Sequence, residues 1–334
     1  MPTNIAIACQ GGGSHTAFTA GVLERLLPHL SEAADCRLVG LSGTSGGAVS
    51  AVAGWYGYRT GGGDEAADTL RALWADIAAS DPYERLLNRW AVWGTQLQNS
   101  AAPTPTFSPY HLPFSDLGKR EFLRLLERHV DFDRIPALVT PECPRLVVGT
   151  VNVNAGEFET FTETNMSSDA ILASSAVPSL FEAVEIDGHY HWDGLFSQNP
   201  PVYDLMHTDP ARKPDELWIV QINPQTRDDE PQTVEEINDR RNELSGNISL
   251  NQELRFIETV NRWIDRGDLS SRQYSHTEIR RIELDEQLTY ASKLDRSAAF
   301  IERLRDRGSA VAESFLADAT IGDHEHSGQT DSHH

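Results

Sequence analysis

The sequence predicts an α/β protein built on a mostly parallel sheet, and three observations carry that prediction. Two short apolar runs, at 5–9 and 37–41, each end in a glycine-rich turn and pass into a helical pattern, so strand, turn and helix occur twice near the amino end. Two further apolar runs, at 145–153 and 216–222, have the composition of buried strands. Beyond them the periodic stretches are helical, with apolar residues three and four apart.

The elements follow in order. Ile5 to Cys9 is a strand that stops at Gly11-Gly12-Gly13, and a helix is expected over about 14–30, with Phe18, Val22, Leu26, Leu27 and Leu30 on one face and Ser14 as N-cap. Arg37 to Leu41 is the second strand, followed by Ser42 to Gly47 and the small-residue helix that starts at Ala48. Residues 65–135 turn helical and aromatic: Leu70, Leu73, Trp74 and Ile77 form one stripe and Phe122, Leu123 and Leu126 another. The loop at 99–106, flanked by Trp90, Trp93, Phe107, Tyr110 and Phe114, makes this segment a candidate cover for a site, with packing against the sheet as the alternative.

After the strand at 145–153, the turn Asn154-Ala155-Gly156 leads into the alternating run 157–161, which reads as a hairpin. A short helix is expected over 168–176, ending before Pro178. Asp187-Gly188 between two apolar runs is a strong hairpin signal, and the chain leaves it at Asp193-Gly194. Glu216 to Ile222 reads as the last core strand, followed by helices over 233–267 and 295–317. The expected division is a core over 1–225 with the cap segment 65–135 inside it, a helical extension over 226–318, and a disordered His- and acid-rich tail over 319–334.

Composition narrows the function. Fifty acidic against 28 basic residues leave a net charge of −22, with no basic run longer than two residues, which excludes nucleic-acid binding and disfavours docking on an anionic bilayer. Only Lys119, Lys213 and Lys293 are lysines. An acid-rich, Lys-poor surface suits high salt, although a GC-rich mesophile would look the same. Cys9, Cys36 and Cys143 are scattered without C-x-x-C spacing and read as reduced, buried thiols. The amino end lacks the pattern of a signal peptide, and no apolar stretch approaches the ~18 residues of a membrane span. A cytoplasmic protein is expected, without metal or cofactor.

Gly43-Thr44-Ser45-Gly46-Gly47 satisfies G-x-S-x-G. Alone it is a weak pattern, but it lies between a buried strand and a small-residue helix, as a nucleophile elbow requires. The turn is tight enough that Ser45 must point outward, with Gly43 and Gly47 avoiding the neighbouring strand and helix. Gly11, Gly12 and Gly13 end the adjacent strand, where backbone N–H groups can approach a developing oxyanion unobstructed. The base is open at this level. Asp193, at the end of a hairpin strand, can accept the serine proton directly, whereas a Ser-His arrangement would draw on His207 or His276.

These residues together resemble the patatin-like phospholipase family. The matching pieces are Gly11-Gly12-Gly13, Gly43 to Gly47, Ala173-Ser174-Ser175-Ala176-Val177-Pro178, and Asp193-Gly194 followed by Asn199-Pro200, spread over about residues 4–225. The resemblance implies a three-layer α/β sandwich and a Ser45/Asp193 dyad without a catalytic His, hydrolysing acyl esters of lipids with no metal. The chain departs from the family's D-G-G-G-x-[RK]-G loop, with Gln10 for the acid, His15 for the base and Thr16 for the last glycine, and Leu195 follows Asp193-Gly194. A fixed positive charge is thereby missing, and His15 is the candidate to replace it on the substrate side as cation or hydrogen-bond donor.

Phe107-Ser108-Pro109-Tyr110, Val130-Asp131-Phe132-Asp133 and Gln221-Ile222-Asn223-Pro224 look like a prokaryotic branch that includes intracellular polyhydroxyalkanoate depolymerases. The expected partner is therefore a lipid or polyester ester, met through transient association with a lipid or polymer surface. A non-catalytic acyl-lipid binding protein on the same fold is the third reading.

Overall fold

A strand without polar alternation suits a sheet covered on both faces, and the strand residues divide that way. In the computed structural model, which describes residues 2–78, 108–111, 115–178, 180–269 and 274–318, Ile5, Ile7 and Cys9 enter one core while Ala6 and Ala8 enter the other. Trp218 and Val220 divide from Leu217 and Ile219 in the same manner. The larger core lies under the helices α1 (Ala17–Glu32), α2 (Gly46–Ile77) and α6 (Ala298–Asp318). The smaller lies under Val202 and Leu205 and under α5 (Val234–Asp265), which contributes Leu250, Leu254 and Ile257. The result is three layers, helix over sheet over helix. Helices α3 (Ser115–His129) and α4 (Ser168–Ser174) complete the set used below.

Among the described residues the sheet has eight strands: β1 (Thr3–Cys9), β2 (Cys36–Gly43), β3 (Arg145–Asn152), β4 (Glu157–Thr162), β5 (Val184–Ile186), β6 (His189–Asp193), β7 (Glu216–Gln221) and β8 (Glu278–Glu283). Their order is β5-β6-β3-β2-β1-β7-β8, with β4 also paired to β3. The neighbouring pairs from β3 through β2, β1 and β7 to β8 are parallel, whereas β3–β4, β3–β6 and β5–β6 are antiparallel pairs. This is the α/β fold with a mostly parallel sheet that the sequence predicts. Asp187 and Gly188 both hold positive φ, at 52° and 81°, which gives the tight β5–β6 hairpin its turn.

Two details differ from the sequence reading. β7 is buried throughout and is the last core strand, but a further strand that the sequence reading lacks, Glu278–Glu283, adds in parallel at the edge of the sheet. Only Ile282 of that strand is deeply buried, so it carries no apolar run. At the other end, Ser14 does not cap a helix. Gly13–Thr16 forms a 3₁₀ turn, and α1 starts after it at Ala17. The aromatic residues Trp90, Trp93, Phe107 and Phe114 and the tail 319–334 lie outside the described residues, while Tyr110 is exposed and its hydroxyl accepts the Ala183 N–H at 3.2 Å. Among the described residues, no helix is long and apolar enough to cross a membrane.

The register of β3 matters most for function. Its residues 145–148 pair with 40–43 of β2, and residues 150–152 pair with 193–191 of β6. Because β4 pairs with 147–152 of β3, β2 and β6 must share the opposite edge of β3. Strand β6 therefore takes over that edge where β2 stops. Its last residue, Asp193, opposite Thr150, arrives beside the turn that follows Gly43.

Candidate active site

A serine at a strand-to-helix corner is exposed to chemistry only if the backbone turns abruptly, and Ser45 does so with φ 57° and ψ −131°. That is a conformation L residues avoid, at a cost of about 1–3 kcal/mol, and its neighbours hold it there. The Ser45 N–H donates to Ser174 Oγ at 2.9 Å, and Ser174 Oγ donates to the Gly149 carbonyl at 2.7 Å. Thr44 Oγ1 donates to the Gln198 carbonyl at 2.7 Å. A Cβ on Gly43 would lie 2.5 Å from the Gly47 backbone, and one on Gly47 would lie 2.4 Å from the Cys9 carbonyl. Both elbow glycines are thus required by close backbone approach. Ser45 also occupies the N-cap of α2, so the positive end of the helix dipole faces its side of the turn.

The glycine loop lies directly against this elbow. A Cβ on Gly11 would meet the Thr44 carbonyl at 2.4 Å and Ser45 Cβ at 2.9 Å, and one on Gly46 would meet Thr16 Oγ1 at 2.1 Å. Gly46 therefore makes the room that Thr16 occupies. The three loop glycines are not equivalent. The Gly11 N–H donates to Asn199 Oδ1 at 2.5 Å, so it is committed to holding the loop and corrects the expectation that all three face an oxyanion. The N–H groups of Gly12 and Gly13 have no acceptor among the described residues, and Gly13 has φ 58°. These two are the donors the loop has to offer.

Asp193 is 1% exposed. Its Oδ1 accepts the Leu195 N–H at 2.9 Å. Its Oδ2 is buried without a hydrogen-bond partner at standard geometry among the described residues. Burial pushes its pKa up to about 7, against the opposing pull of the Leu195 N–H, the Ser45 hydroxyl and the Lys293 charge. A carboxylate near neutrality, with one free oxygen and the nucleophile's hydroxyl beside it, is equipped to take a proton.

The histidines named in the sequence do not share this position. His15 is 3% exposed, its Nε2 is 2.8 Å from Ser292 Oγ and its ring lies 6.0 Å from that of Phe300. Burial, followed by the charges of Lys293 and Arg303, holds its pKa well below the usual histidine value, which disfavours the cationic form and leaves hydrogen bonding as the part of that expectation it can serve. His207 stacks on Tyr203 and accepts Arg145 through its carbonyl at the start of β3, and His276 precedes β8. Both lie at the amino ends of parallel strands, the edge opposite Ser45.

Four residues without an assigned role in the sequence reading belong to the site. Ser174 and Asn199 brace the elbow and the loop, and both fall within the matched motif pieces. Gln10 accepts the N–H groups of Ile222 and Asn223 at 2.9 and 2.8 Å, and Lys293 Nζ donates to Asn223 Oδ1 at 3.1 Å. Among the described residues, no group of three His, Cys, Asp or Glu side chains is placed to hold a metal ion.

With the geometry in hand, residues 7–206 match the family model for patatin-like phospholipases. No curated protein matches the chain. Among solved structures it is similar to VipD from Legionella pneumophila, at 13% identity over 92% of this chain and 67% of that one, with a TM-score of 0.39. It is also similar to the human GIVD cytosolic phospholipase A2 in complex with methyl gamma-linolenyl fluorophosphonate, at 21% identity over 48% of this chain and 23% of that one, with a TM-score of 0.28. A third is the type III effector protein ExoU, at 14% identity over 95% of this chain and 53% of that one, with a TM-score of 0.34. The chain thus spans about a quarter and about half of the latter two.

Proposed function

Because the chain belongs to the patatin-like phospholipase family, we propose that it is a serine acyl-ester hydrolase using a Ser45/Asp193 dyad on neutral, lipid-type carboxylic esters. The single observation that carries this reading is the meeting of a strained serine at the strand-to-helix corner with a buried carboxyl on which its hydroxyl acts. In the first step Ser45 Oγ attacks the ester carbonyl and its proton passes to Asp193. The N–H groups of Gly12 and Gly13 and the first turn of α2 stabilise the tetrahedral oxyanion. Collapse breaks the C–O bond, and the alcohol leaves with the proton from Asp193. Water then gives a proton to Asp193 as it attacks the acyl-serine, and the carboxylic acid departs as the proton returns to Ser45.

The preference for a neutral ester rests on charge. Gln10 and His15, whose burial disfavours the cationic form, take the places of two charged residues in the family loop. The cavity beside that loop, which His15 and Lys293 line, is walled by Asp239, Glu243 and Glu286. The chain's net charge of −22 disfavours an anionic surface in the same sense. A polyester of short hydroxyacids has the same neutral ester chemistry, and the sequence resemblance to intracellular polyhydroxyalkanoate depolymerases makes it the second reading.

Fluorophosphonate labelling of Ser45, followed by hydrolysis of p-nitrophenyl esters of increasing length, a phospholipid and amorphous polyhydroxybutyrate, tests this at low and high salt. Labelling with neutral-ester cleavage, lost in Ser45→Ala, is expected. Absence of both would favour a non-catalytic acyl-lipid binder. A second expectation concerns pH. Asp193 must be ionised to act as base, so kcat/KM falls as pH drops through about 7, its folded value, with a slope of one proton. A flat profile between pH 6 and 8 would rule Asp193 out as that base.

A further inference from the structure

The loop of this chain lacks the cation found in the family pattern, yet a cation reaches the same place from elsewhere. Lys293 lies in the short turn Ala291–Leu294, well beyond the family match. Its backbone covers the glycine loop so closely that a Cβ on Gly13 would be 2.4 Å from the Lys293 carbonyl. Its ammonium donates to Asn223, whose backbone Gln10 holds at the base of that loop. His15, Ile222 and Lys293 wall one cavity, and a Cβ on Gly12 would touch Ile222.

We propose that Lys293 is a positioning residue for this active site: it supplies, from the C-terminal segment, the positive charge that the glycine loop lacks and so keeps Asp193 ionised. The inference rests on the hydrolase reading of Ser45 and Asp193. The charges around it are accounted for. Asp239 and Glu243 line the same cavity as Lys293 from α5, Glu286 from the stretch after β8 and His15 from the turn after β1, and the charge of Asp193, at the end of β6, acts on Lys293 less than those of Glu243 and Asp239. Glu243 is already paired with Arg227 and Arg240, and Glu286 with Arg303. Burial lowers the Lys293 pKa to about 8, so its charge is present where Asp193 titrates and fades one step above. In a chain with 25 arginines, which never lose their charge, a lysine at this point makes the effect pH-dependent.

The test is the pH profile of kcat/KM for wild type, Lys293→Met and Lys293→Arg, with fluorophosphonate labelling and melting temperature measured on each. Removing an opposite charge beside a carboxylate raises its pKa by about one unit. In Lys293→Met the acid limb is therefore expected to move up by that amount, giving about tenfold lower kcat/KM at pH 6, while the curves converge above pH 9, where the wild-type lysine is itself neutral. Lys293→Arg should keep the wild-type limb. An unmoved limb in an active Lys293→Met enzyme overturns the proposal alone, and so does a defect of equal size at every pH. A wild type that neither labels nor hydrolyses at any pH overturns the hydrolase reading together with it.

Discussion

Replacing Asp193 by Asn lowers ester turnover by about 10² to 10⁴-fold, the contribution expected of a positioned general base, while the protein folds as before. The carboxamide keeps an oxygen for the Leu195 N–H, which Asp193 Oδ1 now accepts at 2.9 Å, so the local turn needs no change. The pH dependence of stability separates this outcome from a folding defect. Burial holds the folded Asp193 pKa at about 7, above the ordinary 3.8 of an aspartate. Its stabilising protonation is complete below the lower value and is lost as pH rises through the upper one. Above pH 7 the wild type holds a buried carboxylate that the variant does not. Asp193→Asn is therefore expected to melt at or above the wild-type temperature at pH 8. Near-wild-type hydrolysis by a folded Asp193→Asn enzyme would remove the dyad from consideration.

Gly47→Ala is the second large effect, and it acts on the backbone rather than on a reacting group. The added methyl would stand 2.4 Å from the Cys9 carbonyl and 2.8 Å from that of Gln10. Both are main-chain atoms at the end of β1, and neither can rotate away. Overpacking of this kind costs about 1–3 kcal/mol. Relief requires the elbow and the glycine loop to separate, which moves Ser45 relative to the N–H groups of Gly12 and Gly13. A displacement of about 1 Å is enough for a 10²-fold loss of rate. Denaturant midpoints and ester assays on the same preparation read the two effects together. An unaltered midpoint with unaltered activity would show that the elbow tolerates the methyl, contrary to the packing described.

Much of this site is legible in the sequence because it is made of local signals. Gly43 to Gly47 and Gly11 to Gly13 are backbone requirements, and a backbone requirement leaves glycines wherever it falls. Asp187-Gly188 fixes the hairpin that delivers Asp193. The features that were not legible depend on distant partners. Gly11 resembles its two neighbours until Asn199, 188 residues away, takes its N–H. His15 stands in a position suited to a cation, and only the packing of Ser292 and Phe300 over it reveals that its cationic form is disfavoured. β8 escapes notice because Ile279 and Ile282 are three apart, a helical spacing, in a strand otherwise made of Arg and Glu. It is covered through Arg280, whose guanidinium lies 4.2 Å from the centre of the Phe315 ring. Lys293 has no motif around it. Its rarity in an Arg-dominated chain is the one signal it gave, and rarity does not say where a residue will be.

The shared edge of β3 has a consequence for how the site is held. Nucleophile and base are 148 positions apart, yet their relation is set by two short ladders on one strand, 40–43 against 145–148 and 191–193 against 152–150. Among the described residues between Gly46 and Pro144, none adds a rung to that edge. Helix α2 in this stretch carries Gly47 and core residues such as Trp55, Leu70 and Leu73, so what it owes the site is packing rather than register. Nucleophile and base are thus aligned by register on one strand and only steadied by the packing of the helix between them.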